Sequence, residues 1–290
     1  MRITAARPGL ADTCLMPPDV AMGRPQRETQ GKIDMLTTEG FRLDGKVALI
    51  TGSGRNIGRA VAECFAAAGA KVVINGHRDQ AALDETAEAI RARGGEVLPV
   101  LADVSDHRAV SDMVDRTVKT FGAIDIVVSN VGIRKYRAFL DITPEEWDDV
   151  LRSNLSAAFY LARAAIPHMR EKKFGRIIVM SGADGFWGHV THRAPNVAAK
   201  IGMHGLAMAI AREFGADNIT ANTVSPGPID TVRDWTQYVH RTREEVIAEV
   251  PLGRYGHVDE IAGACLFLSS PAGGFVTGQV IHVNGGTNMY

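Results

Sequence analysis

The chain is poor in cysteine, carries no excess of charge of either sign and contains no long apolar run. Its three cysteines (Cys14, Cys64 and Cys265) are odd in number and far apart in 290 residues. That spacing argues against a disulfide framework or a metal cluster and fits a reducing cytoplasm, so no metal is expected. The formal net charge of -1 gives no electrostatic case for nucleic acid or a charged membrane surface as partner. No apolar stretch approaches the roughly 18 residues needed to span a bilayer. Sustained periodicity is also missing from residues 1–40, which hold Pro8, Pro17, Pro18, Pro25 and scattered arginines. They read as a loosely ordered extension. A transit peptide is an alternative, against which Asp12 and Asp19 count. A secretory signal would need a continuous apolar core after Arg2, and a translation start at Met22 or Met35 is a further explanation.

What is present begins at Lys46, where short β-branched runs alternate with longer amphipathic segments. Strands are expected at Val47–Ile50, Lys71–Asn75, Glu96–Ala102, Ile124–Ser129, Arg176–Met180, Thr220–Val224 and Val280–Val283. Runs apolar on both faces suit a parallel sheet covered by helices on either side. Between them, Ile57, Ala60, Val61, Cys64, Phe65 and Ala68 form one apolar face at helical spacing that ends at Gly69. Thr143-Pro-Glu-Glu146 reads as a capping box with proline at the first helical position. Strand–helix alternation of this length predicts an α/β fold, a doubly wound parallel sheet of about seven strands. With no internal repeat and no linker, residues 41–290 are expected to form a single Rossmann-type domain, long enough to bury a large core.

The turn after the first strand is Thr51-Gly-Ser-Gly-Arg-Asn-Ile-Gly58, leading directly into a helix. Glycines there let a pyrophosphate approach the backbone, and the helix N-terminus supplies amide donors and a favourable dipole. A tight turn without a ligand is the plain alternative. The position of the loop at the first strand–helix junction favours a dinucleotide site.

The loop resembles the Thr-Gly-x-x-x-Gly-x-Gly element of the short-chain dehydrogenase/reductase family, 3-oxoacyl-ACP reductases among them. It departs from that element at Asn56, which stands in place of the middle glycine. Asparagine tolerates the left-handed region, so the turn is expected to survive. Further resemblances run from about Lys46 to Asn284. Asp103-Val104 is similar to the pair flanking the adenine, and Ser129-Asn-Val-Gly132 to an Asn-Asn-Ala-Gly strand end. Asn154 matches a helix asparagine, Pro226-Gly-Pro-Ile-Asp-Thr231 a nicotinamide-carboxamide loop, and Val283-Asn-Gly-Gly286 a Val-Asp-Gly-Gly ending. The resemblance implies a cofactor site made of Gly52, Ser53, Arg55, Asn56, Ile57, Gly58, His77, Arg78, Asp103, Val104, Asn130, Gly132, Lys200, Pro226, Gly227, Ile229 and Thr231. After the second strand, Asn75-Gly-His-Arg78 puts Gly76 where an acid would hold an adenosine 2′-hydroxyl. A carboxylate would repel a 2′-phosphate; Arg78 and Arg55 could pair with one, and His77 could donate to it. NADP(H) is therefore expected over NAD(H), against the alternative of two merely solvated arginines.

The resemblance also implies a reaction centre of asparagine, serine, tyrosine and lysine. In it a phenol of ordinary pKa near ~10 is brought down by a nearby cation so that it can protonate a carbonyl oxygen. Lys200 and Asn154 are present, but Asn196 occupies the tyrosine position, four residues before Lys200 and on the same helix face. The serine position falls on Gly182, with Ser181 immediately before it. The candidate catalytic set is thus Asn154, Lys200, Asn196 and Ser181. Tyr136, Tyr160, Tyr238, Tyr255 and Tyr290 do not obviously replace the phenol, and Tyr238 is expected in a lid helix. The stretch Gly185–Arg193 should line the substrate pocket. His189 or His192 could act there as a general acid near neutral pH, against a solvated or structural role, and Asp184 is read as structural.

Three functions follow. The leading one is an NADP(H)-dependent oxidoreductase acting on a carbonyl, alcohol or imine with an altered proton-transfer site. The others are a lyase or isomerase retaining the dinucleotide as a structural element, and a non-catalytic dinucleotide-binding protein. Fold alone does not choose among them. The expected partners are a small-molecule substrate and further copies of the chain, as a homotetramer.

Overall fold

The computed structural model describes residues 37–182, 185–186, 191–232 and 242–289. The expected N-terminal extension lies outside the described residues apart from its last four, and Asp184, His189, Tyr238 and Tyr290 lie outside them entirely. The strands are β1 (Val47–Ile50), β2 (Lys71–Gly76), β3 (Val97–Leu101), β4 (Ile126–Ser129), β5 (Gly175–Met180), β6 (Ile219–Pro226) and β7 (Val280–Val283). The helices are α1 (Asn56–Ala67), α2 (Gln80–Arg91), α3 (His107–Phe121), α4 (Pro144–Leu151), α5 (Ala157–Lys172), α6 (Ala194–Phe214), α7 (Arg243–Ala248) and α8 (Val258–Ser269).

All seven expected strands form, and they pair in parallel in the order β3-β2-β1-β4-β5-β6-β7. The apolar character of both faces has a direct cause. Along the central strands alternate residues enter two separate cores. Ala48, Ile50, Ile126, Val128 and Ile178 pack with Val61 and Phe65 of α1 and Ile261 and Leu268 of α8. Leu49, Val127, Ile177 and Val179 pack on the other face with Leu161 of α5 and Met203 and Ala207 of α6. Phe65 is fully buried. Truncating such a residue to alanine costs about 3–5 kcal/mol.

Strand order reverses between β1 and β4, so the loops after these two strands diverge and open a crevice at the C-terminal edge of the sheet. Two expectations need correction. The capping box of α4 is only half made. Thr143 accepts from the Glu146 amide at 3.2 Å, but the Glu146 carboxylate is held by Arg137 at 2.6 and 3.1 Å. The fourth strand starts at Ile126 rather than Ile124, and the buried Asp125 carboxylate accepts from the Val47 amide at 2.9 Å. No helix among the described residues is long and apolar enough to cross a membrane.

Candidate active site

The glycine-rich turn is built by its neighbours. Gly58 follows Gly52 so closely that a Cβ on Gly58 would stand 2.2 Å from the Gly52 carbonyl oxygen, which no side chain could tolerate. Asn56 takes φ +52°, the left-handed conformation expected of it. Asn130, just after β4, donates from its amide to the carbonyls of Thr51 and Gly52 at 3.0 and 3.2 Å, and its backbone N–H donates to Thr51 Oγ1 at 2.9 Å. Ser53 is buried. Its hydroxyl donates to the Ile50 carbonyl at 2.9 Å and accepts from the Asn75 amide at 2.8 Å, so it folds the turn against β2.

Asn75 was not singled out for this role by the sequence, yet it organises the second strand end. Its side chain donates to the carbonyls of Gly76 and Ala102 at 3.1 and 3.0 Å and accepts from Gly52 N–H at 3.4 Å. A buried amide directly after a β-branched run was the available signal. Beyond it, His77 and Arg78 are exposed, and His77 lies 3.6 Å from Asp103. Burial alone would raise Asp103, but the Ser105 backbone and hydroxyl, His77 and Arg78 together hold its carboxyl below the ordinary range.

The residues fit a dinucleotide. Arg55 sits at the N-terminus of α1 and makes no side-chain cap, and the first turn of α1 carries no acid. α2, α3 and α4, in contrast, are capped by Asp79, Asp106 and Thr143. Ile57 is partly buried against the α1 core, while Val104 is fully part of the other. Across the crevice, Gly227 donates to the Val283 carbonyl at 3.0 Å, and a Cβ there would stand 2.5 Å from Asn284 Cα. The loop after Pro226 is thereby pinned to the end of β7. Ile229 is buried and bridges to Gly256, and Thr231 follows it.

Three candidate catalytic residues converge beside Gly132. Asn154 is fully buried in a single π-helical turn, Arg152–Ser156, between α4 and α5. Such turns are frequent at functional sites. Its Oδ1 accepts from Ile133 N–H at 2.7 Å, and its Nδ2 donates to the Ile133 carbonyl at 3.0 Å and to Asn196 Oδ1 at 3.2 Å. Asn196 and Lys200 share the buried face of α6, as their spacing requires. Lys200 donates from Nζ to the Met180 carbonyl at 2.6 Å, and Nζ lies 3.4 Å from the place of a Cβ on Gly132. Ser181 turns away from this group and donates to the Lys200 carbonyl at 3.1 Å. Among the described residues, nothing lies within 4 Å of a Cβ placed on Gly182, next to it.

The walls are partly described. Tyr136 lies under the Arg193 guanidinium, 4.3 Å from its ring centre, and Arg137 N–H donates to the carbonyl of exposed His192 at 2.9 Å. Phe186 packs edge-on to His282 at 4.9 Å. A cavity of about 420 Å³ opens beside the loop after β6, lined in part by Pro228, Ile229, Leu252, Arg254 and Met289. Neither asparagine nor Lys200 lines it.

Fold and crevice together define an α/β protein of the doubly wound kind. Residues 52–288 match the family described as Enoyl-(Acyl carrier protein) reductase. The 3-oxoacyl-[acyl-carrier-protein] reductase FabG of Escherichia coli is 38% identical over 251 residues, which are 86% of this chain and 100% of that protein. The (2S)-[(R)-hydroxy(phenyl)methyl]succinyl-CoA dehydrogenase subunit BbsD of Thauera aromatica is 37% identical over 248 residues, 86% of this chain and 98% of that one. The crystal structure of a dehydrogenase/reductase from Sinorhizobium meliloti superposes with TM-score 0.79 at 29% identity, covering 86% of this chain and 98% of its own. The chain belongs to the short-chain dehydrogenase/reductase family of oxidoreductases.

Proposed function

We propose that the protein is an NADP(H)-dependent reductase whose site suits an imine or iminium better than a plain ketone. The observation that supports this reading is the bond from Asn154 to Asn196, taken with Asn196 as the counterpart of the family's tyrosine. Gly52, Gly58, Asn130, Gly132, Pro226, Gly227, Ile229 and Thr231 would hold the dinucleotide along the crevice, and Arg55, His77 and Arg78 would meet a 2′-phosphate. When bound, the nicotinamide supplies a hydride.

What the chain adds is orientation and charge. Lys200 holds a cation at the crevice floor and would bind the nicotinamide ribose. Asn196 can donate a hydrogen bond to a substrate but has no proton to surrender near neutral pH. Loss of a general acid lowers rates by ~10²–10⁴. A ketone needs that proton as its oxygen gains charge; an iminium already carries its own and ends as a neutral amine. Ser181, committed to the Lys200 carbonyl, is assigned a structural part.

Incubation with NADPH and a panel of carbonyls and imines tests the proposal. Cofactor oxidation with imines supports it. Product formed without cofactor oxidation would favour the lyase or isomerase reading, and binding without turnover the non-catalytic one. We also propose a homotetramer, supported by Phe159, Ile201 and Met208, which leave 45%, 44% and 46% of their surface exposed on α5 and α6. A monomer by light scattering at micromolar concentration would refute that.

A further inference from the structure

Asn56 does more than accept a left-handed backbone. Its side chain pairs with the backbone of Val232, 176 residues away, donating from Nδ2 to the Val232 carbonyl at 3.0 Å and accepting the Val232 N–H on Oδ1 at 2.9 Å. Glycine at this position could make neither bond.

The topology gives this pairing its meaning. Asn56 opens α1, directly after β1, whereas Val232 ends the described loop that follows β6. In the sheet β4 and β5 stand between β1 and β6. Neighbouring strands lie about 4.8 Å apart, so the loop must cross three strand spacings, roughly 14 Å, to reach Asn56. The residues from Pro226 to Val232 are long enough to do so, at up to about 3.5 Å each. They therefore run across the C-terminal ends of β5 and β4, over the crevice where the strand order reverses.

Both halves of this segment are anchored. On the β6 side, Asp230 N–H donates to the Gly256 carbonyl at 2.8 Å, and the Asp230 carboxylate takes both arms of Arg243 at 3.0 and 2.7 Å. On the β1 side the described attachment is Asn56. Thr231 lies between the two anchor points.

We propose that Asn56 is a positioning residue: it straps the post-β6 segment across the crevice, holding Thr231 over the dinucleotide and slowing the release of that dinucleotide. This rests on the reading of the crevice as an NADP(H) site. It assigns to Asn56 a role that a turn-former alone would not have.

The test is the dissociation rate of NADPH from the full-length protein, measured by stopped-flow displacement. Asn56→Gly accepts the same φ without strain and removes both bonds. Two exposed neutral hydrogen bonds lost together correspond to roughly 5- to 50-fold faster release. Thermal unfolding should be little changed, because glycine suits the turn. Val232→Pro attacks the strap from its other end by deleting the N–H that Asn56 accepts, and should also speed release. Combined, the two substitutions should release NADPH no faster than Asn56→Gly alone, since both break one link.

If wild-type protein binds NADPH and Asn56→Gly releases it at the same rate, the strap is refuted while the cofactor reading stands. Additive effects in the double variant would also refute it. Failure of the wild-type protein to bind any dinucleotide overturns the cofactor reading, and the strap with it.

Discussion

Asn154 donates from Nδ2 to Asn196 Oδ1 across 3.2 Å, and the direction of that bond is dictated by Ile133. The Ile133 N–H requires the Asn154 oxygen on its side and the Ile133 carbonyl requires the nitrogen, so Nδ2 is what faces α6. Asn196 must answer with its oxygen and turn its own N–H₂ elsewhere. Asn154→Ala would leave the two partly buried backbone groups of Ile133 unmatched and remove one partner of Asn196. The expected loss is about 1–3 kcal/mol of stability by denaturant unfolding, together with loss of turnover. Unchanged stability would mean that water replaces the side chain.

Lys200 remains one helical turn from position 196, where a phenol would gain from its charge. Asn196→Tyr should raise NADPH-dependent reduction of simple ketones, by at most ~10²–10⁴. Adding Gly182→Ser should raise it further, since among the described residues nothing lies within 4 Å of a Cβ there. If the double variant binds NADPH normally and reduces nothing in a broad carbonyl panel, Lys200 is not poised for a phenol.

Gly76 can be given the missing acid. A Cβ there meets nothing closer than Leu83 Cδ1 at 3.5 Å, so Gly76→Asp should fold normally. It should weaken NADPH binding by about tenfold or more and improve NADH binding, through repulsion of the 2′-phosphate and a new bond to the 2′-hydroxyl. Fluorescence titration of both dinucleotides reads the ratio. Equal affinity in the wild-type protein, unaffected by Arg78→Ala, would contradict the assignment.

His282 supplies a pH dependence. Burial, and next the neighbouring His204, hold its imidazole below the usual histidine value. A group with a depressed folded pKa binds its proton more readily in the unfolded chain. The stability it contributes is therefore complete above an unfolded pKa of about 6.5 and falls as pH drops through the folded value. Melting temperature should decline below about pH 6.5, and His282→Gln should reduce the slope. An identical slope in the variant would show that other groups carry it.

The strands were legible because the central strands β1 and β4 feed two cores, which makes their runs apolar at almost every position, and such runs stand out from the helical periodicity between them. The left-handed turn at Asn56 was legible from the chemistry of asparagine. Its partner was not, since nothing local marks a bond to Val232 across 176 residues. Ser181 shows the same limit. Its place next to Gly182 was clear, but only the packing of α6 on β5 directs its hydroxyl to the Lys200 carbonyl. Glu146 was read as a cap from its spacing, and Arg137, nine residues back, competes for the same carboxylate. The π-helical turn at Asn154, where the tertiary bonds to Ile133 are made, left no periodic signature.

The most direct test of a hydride-transfer site without a phenol compares two substrates of one shape. Single-turnover oxidation of enzyme-bound NADPH is followed with a permanently charged cyclic iminium and with the ketone of the same ring size. The iminium should be reduced ~10²–10⁴ times faster than the ketone, the factor a general acid supplies, and its rate should be flat across neutral pH. Equal rates for the two, or ketone reduction with a pH profile showing an acid of perturbed pKa, would contradict the reading of Asn196 as a site that has given up proton transfer.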